Sequence, residues 1–199
     1  MALSSPNAYW YWRGLKKGWV LNFATTNKLP LPERGYLSGL AIHSACLNDA
    51  KMDKYSDAYP IQRHTKFRVI GNGNFEVVNA SGKHLKSIEC WNDNVDPKGM
   101  YDQANGKNQR NYITLPFGRY MGDEKYGLIL ENFAAGVELE ETNNYVDPPF
   151  TKDKSTLDVY GLFRKRPEPD CFAKGFLRKR VIIEKDTAAE VEYAVRLPT

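Results

Sequence analysis

The sequence predicts an all-β protein, an antiparallel sandwich or barrel, and three observations lead there. Apolar residues recur with a period of two over many short segments, and clusters of Gly, Pro, Asn and Asp separate those segments at intervals of about ten to twenty residues. Only YGLILENFAA (126–135) suits a short helical turn. At 199 residues the chain is long enough to bury most of its unfolded surface in one core. Its 28 Lys and Arg against 24 Asp and Glu leave a formal charge of +4, mixed along the chain. Such a balance reads as an ordinary solvated surface, so no specific nucleic-acid binding is expected.

Taken in order, the chain opens with residues 1–17, expected as an aromatic and basic arm ahead of a single domain over 18–199. Tyr9, Trp10, Tyr11 and Trp12 stand together, followed by Arg13, Lys16 and Lys17, and Trp19 comes just after. Aromatics beside cations suit a partner subunit or a membrane interface, and the same residues can instead fold back on the protein's own sheet. GWVLNFA (18–24) alternates Trp19, Leu21 and Phe23 with smaller or polar residues, as a half-buried strand does. In LPLPERGYLSGLAIHSACL (29–47), Pro30 and Pro32 fix extended backbone without donating to a ladder, which predicts a stiff connector between two sheets. The strand that follows has Gly39, Ala41, Ser44 and Ala45 where a large neighbour can pack close.

FRVIGNGNFEVVNASGKHLKSIECW (67–91) carries turn signals at Asn72-Gly73 and Ser81-Gly82 and predicts a meander. Further strands are expected in 111–118, 136–145, 155–166, 176–187 and 189–197, about nine strands in all. The connections at 92–110, 143–155 and 164–175 are long and polar or proline-punctuated.

Reactive groups do not converge on any motif. His43, His64 and His84 lie on three segments without metal-ligand spacing, so no metal site or cofactor is expected. NDNVDPKG (92–99) has oxygen ligands at alternate positions, but Pro97 occupies the place of the tight-turn Gly of a calcium loop and Gln103 that of its closing acid. Glu138, Glu140 and Glu141 adjoin on a strand and are expected on an exposed face. Cys46, Cys90 and Cys171 are an odd count without short spacing, which predicts reduced thiols in a chain made in a cytosol. The first thirty residues lack the apolar core of a signal peptide, and no later stretch approaches the roughly 20 apolar residues of a membrane helix. Arg164–Arg166 and Arg178–Arg180 are followed by acids, as at a neutralised surface or subunit contact.

Three stretches carry a family resemblance. LPLPERGYLSGLAIHSACL resembles a Pro- and Gly-punctuated entry into a long core strand; YGLILENFAAGVELEETNN (126–144) resembles an apolar turn feeding a strand; and FLRKRVIIEKDTAAEVEYAVRLP (176–198) resembles a closing pair of strands. Together they look like the jelly-roll (β-barrel) major capsid proteins of icosahedral viruses and phages with an internal membrane. The resemblance covers about half of the chain, and it implies a jelly-roll barrel without enzymatic activity. It also implies a subunit made in the host cytoplasm that assembles with itself, and in some cases with a second capsid protein, into a virion over a lipid vesicle. Tyr9, Trp10, Tyr11, Trp12, Arg13, Lys16, Lys17 and Trp19 would then meet a neighbouring subunit or the membrane. The alternative is a carbohydrate-binding β-sandwich or a virion attachment protein, with Trp91, Asn92, Asp93 and Tyr101 as the sugar patch. An enzyme on the same scaffold ranks third.

Overall fold

The computed structural model describes residues 10–49, 60–93, 99–100, 104, 106–123, 126–145, 150–151, 154–165 and 180–182. Alternation of apolar and polar residues becomes alternation of burial: in Tyr36–Leu47, residues Leu40, Ile42, Ser44 and Cys46 are buried while Ala41, His43 and Ala45 are half-buried on the other face. In chain order the elements are β1 (Trp10–Val20), β2 (Thr26–Pro30), β3 (Tyr36–Leu47), α1 (Pro60–Arg63), β4 (His64–Gly71), β5 (Phe75–Ala80), α2 (Gly82–Asp93) and β6 (Gly99–Met100). Then come β7 (Asn108–Pro116), β8 (Leu128–Ile129), a 3-10 turn at Leu130–Asn132, β9 (Val137–Asn143), β10 (Thr156–Arg164) and β11 (Arg180–Val181).

One sheet has the order β1-β10-β3-β7-β6, with β8 beside the start of β3, and the other has the order β11-β5-β4-β9-β2. Among the described residues every pairing of named strands is antiparallel except that of β11 with β5. Since β6, β8 and β11 are two residues long, eight of the eleven strands make the two facing layers, β1-β10-β3-β7 and β5-β4-β9-β2. The chain winds back and forth between these layers as a jelly roll. Inward side chains of both layers form one core, with Phe67, Ile113, Leu115, Phe117 and Phe150 wholly buried.

Local chemistry explains most boundaries. Pro30 ends β2, which among the described residues is the edge strand of its sheet, where a missing N–H costs no ladder bond, and Leu31–Gly35 then carries the chain across to β3 in the other layer. Asn72 and Gly73 both have positive φ, 50° and 78°, at the centre of a turn closed by the Asn74 N–H on the Gly71 carbonyl at 3.3 Å, within the three-residue connection between β4 and β5.

The structure departs from expectation in three places. Ser81-Gly82 does not turn a second hairpin: Ser81 Oγ accepts from the His84 N–H at 3.4 Å, and a helix runs over Gly82–Asp93. Its buried positions Gly82, Leu85, Lys86 and half-buried Glu89 follow helical spacing, hidden because two of them are charged. Lys86 donates to Glu89 at 2.7 Å and to the Tyr112 carbonyl at 2.8 Å, which is how a cation comes to lie 6% exposed. GWVLNFA divides into the tail of β1 and a turn in which Ala24 has φ 52°. The strand expected over 176–187 is seen at Arg180–Val181, and 189–197 lies outside the described residues.

Candidate interaction surface and buried polar network

Trp10–Lys17, expected as part of an arm before the domain, lie within β1, and the expected boundary between 17 and 18 falls inside that strand. Among the described residues β1 is an edge strand, paired to β10 from Trp10–Arg164 to Val20–Thr156, with register shifts at Gly14/Lys16 and Lys16/Trp19. Each shift adds one residue to β1, so inward and outward positions change along it. Leu15 and Trp19 pack against the core, Trp12 is 54% exposed, and Arg13, Lys16 and Lys17 are exposed. Trp10 is half-buried, 6.2 Å from the Tyr36 ring, with the Arg164 guanidinium 5.5 Å from its ring centre. Tyr11 is 40% exposed yet stacks on Phe163 at 5.9 Å. Tyr9 lies outside the described residues.

Cross-strand register builds a second feature on the outer face of the same sheet. Asp158, His43 and Tyr112 are consecutive partners across β10, β3 and β7. The His43 and Tyr112 rings stack at 4.7 Å, and His43 Nδ1 lies 3.2 Å from Asp158 Oδ2. The other carboxylate oxygen accepts the Gly18 N–H at 2.7 Å, at a residue whose φ of 57° turns that N–H out of the ladder. The Gly18 N–H first, and His43 after it, hold the Asp158 carboxyl below its usual range.

Inside the sandwich a polar cluster joins the two layers. Ser44 Oγ on β3 is 2.8 Å from His64 Nε2 on β4, and His64 Nδ1 donates to Glu141 Oε1 on β9 at 2.8 Å. Asn27 and Asn143 donate to the second carboxylate oxygen at 3.0 and 3.1 Å. The Tyr145 hydroxyl meets His64 Nε2 at 3.0 Å and donates to the Pro60 carbonyl at 3.2 Å; burial pushes its pKa well above the ordinary phenol value, so it stays a donor. Hydroxyl, imidazole and carboxylate in this order have the connectivity of a nucleophile relay. Ser44, His64 and Glu141 are each 0% exposed, however, so the relay is sealed from any external substrate and acts as an interlayer tie.

That cluster corrects the expectation of an exposed acidic face, because Glu140 is 7% exposed and Glu141 fully buried. Glu140 is paired with Lys28 at 2.9 Å and with Arg68 at 3.2 Å. No sequence motif signals the Ser44–His64–Glu141 set, whose members come from three strands. Arg164 is not a surface cation either, being 5% exposed. The three histidines stay apart on β3, β4 and α2, and among the described residues no three potential ligands cluster as a metal site would require. Of the expected sugar patch, Trp91 is 87% exposed near the end of α2, Asn92 and Asp93 belong to the same helix, and Tyr101 lies outside the described residues.

No protein-family model matches the chain, and no curated protein does. Solved structures do share its fold. The major capsid protein of Sulfolobus Turreted Icosahedral Virus is 11% identical over 78% of this chain and 48% of that chain, with a TM-score of 0.57. The PBCV-1 virus capsid structure is 12% identical over 82% of this chain and 44% of that one, with a TM-score of 0.58. PBCV-1 VP54 fitted into a reconstruction of the virophage Sputnik is 10% identical over 82% and 44%, with a TM-score of 0.55. The chain thus spans somewhat under half the length of the chains it matches.

Proposed function

We propose that the chain is a structural subunit of a viral capsid, acting without enzymatic chemistry and assembling laterally through the edge of its β1 sheet. The observation that carries the reading is the shared jelly roll, met in capsid proteins of more than one virus and covering 44–48% of their length. A second copy, or a second chain of like fold, would stand beside the first in such an assembly. Edge strand β1 suits the contact: Trp12 stands out from it with Arg13, Lys16 and Lys17, and a large aromatic amid cations is the composition of an interface anchor. Each contact is modest, and shell stability comes from repetition.

Light scattering of the purified chain over a concentration series, with negative-stain images of the same fractions, tests this. Discrete oligomers or shells are expected, and Trp12→Ala should raise the dissociation constant by about tenfold or more while leaving circular dichroism unchanged. A chain that stays monomeric at every concentration, or a Trp12→Ala variant that assembles as well as the parent, counts against the proposal.

A further inference from the structure

Strand β1 carries Arg13, Lys16 and Lys17, all exposed, and no acidic residue between Trp10 and Val20. A symmetric contact of this strand with its own copy would set those cations against one another, and like charges brought together across an interface cost affinity. The surface that receives β1 must therefore be a different one, and it must be acidic. Exposed carboxylates are scarce. Among the residues whose side chains are described, the acids that stand exposed are Glu33 and Glu131, and both line one open hollow of about 790 Å³. Glu33 lies in the crossing from β2 to β3 and Glu131 in the 3-10 turn, and among the described residues neither forms an ion pair. Glu138 adds a third carboxylate, its side chain 47% exposed with Lys28 Nζ at 3.5 Å, and Arg34 is the one cation among the described lining residues. Leu31, Phe133, Ala134 and Val137 make the rest of the wall apolar. That wall is held in place: the Leu31 N–H donates to the Val137 carbonyl at 2.8 Å, and the Phe133 ring lies so close over Gly71 that no side chain fits between them.

We infer that this hollow receives strand β1 of a second copy, with Trp12 supplying the apolar contact and Arg13 and Lys16 the charges that meet Glu33 and Glu131. The inference rests on the proposal that β1 is the assembling edge, and it adds the surface that β1 meets. Trp12, 54% exposed, brings a large ring to an apolar wall, and the opposed charges set the register and favour this pairing over that of β1 with β1. The contact is head-to-tail. Each copy gives its β1 to one neighbour and offers its hollow to another, so copies close into rings or run on in arrays and do not stop at a pair.

Sedimentation equilibrium of the full chain compares the parent with Arg13→Glu/Lys16→Glu and with Glu33→Lys/Glu131→Lys, all four changes being at exposed positions, and circular dichroism checks folding. Each variant alone is expected to associate at least about tenfold more weakly, because like charges then face one another across the contact. An equimolar mixture of the two should recover the parent's association, since the acidic β1 of one meets the basic hollow of the other and the reverse pair is complementary as well. Glu33→Gln/Glu131→Gln, which removes the charges at almost constant shape, takes the place of the reversal if that disturbs the fold, and a severalfold loss is then expected. Parent-like association of the hollow variants with Arg13→Glu/Lys16→Glu weakened, or a mixture that associates no better than either variant, would overturn the hollow as the receiving surface and leave the β1 edge standing. A parent that stays monomeric, or an Arg13→Glu/Lys16→Glu variant that associates as the parent does, would overturn the assembly proposal and this inference together.

Discussion

Glu141 is a carboxylate with both oxygens occupied, by His64 on one side and by Asn27 and Asn143 on the other. Such a group is held by its partners and holds them in turn, so its removal leaves the His64 N–H and one N–H of each asparagine carboxamide without this acceptor, while both carboxamides keep the Asn22 carbonyl. Glu141→Leu is therefore expected to cost about 3–5 kcal/mol, read as a lower urea midpoint with an unchanged slope. A loss below about 1 kcal/mol would show that water reaches the cluster and replaces the carboxylate. The residue also marks a limit of reading the sequence. Alternation along β9 places Val137, Leu139, Glu141 and Asn143 on one face, but a carboxylate among core residues makes sense only once His64 and Asn27 are known to lie opposite. Those partners are 77 and 114 positions away in the chain.

Strand β1 is attached to its sheet by more than its ladder. Asp158 on β10 receives the Gly18 N–H from β1 and reaches His43 on β3, so one side chain spans three strands. Its folded-state pKa lies below the unfolded value, so the stability it contributes is present in full above the unfolded pKa of about 3.9 and is lost as pH falls through the lower folded-state value. Unfolding free energies of the parent and Asp158→Asn, measured from pH 6 down to pH 3, should differ by a constant amount above about pH 5 and converge toward acid. A constant difference down to pH 3 would remove Asp158 from the acid limb. At this scale the sequence was informative where one physical cause dominated: the Asn72-Gly73 turn, the proline edge of β2 and the alternating stretches of β3, β7 and β10 all formed. It misled at α2, because a buried Lys86–Glu89 pair occupies positions where apolar residues would have shown the helical period. Of the strands expected toward the end of the chain, the one over 176–187 is seen at Arg180–Val181 and the one over 189–197 lies outside the described residues, while the two-residue strands β6 and β8 had no expectation behind them.

Across the molecule, the two layers share one core, and Cys46 reports on it. Its thiol is 0% exposed on β3, and burial pushes its pKa far above the ordinary thiol range. In a Cys90→Ser, Cys171→Ser variant, labelling of Cys46 by iodoacetamide should follow the rate of global unfolding; labelling faster than unfolding would show that β3 opens separately. Strand neighbours were the part of the architecture least legible in sequence, since a period of two gives a strand its core face without naming its partner. The bond from Gly18 to Asp158 closes 140 residues of chain. During synthesis at about 5–20 residues per second, that separation is a wait of about 7–28 s, whereas the β4–β5 hairpin can close within microseconds of leaving the ribosome. Among the described residues β1 pairs with β10 alone, so β1 waits for a partner made long after it. Until β10 is made, Trp10, Tyr11 and Trp12 wait on a strand without that partner, and the exposed charges of Arg13, Lys16 and Lys17 lie along it, the composition that disfavours pairing of one edge with another.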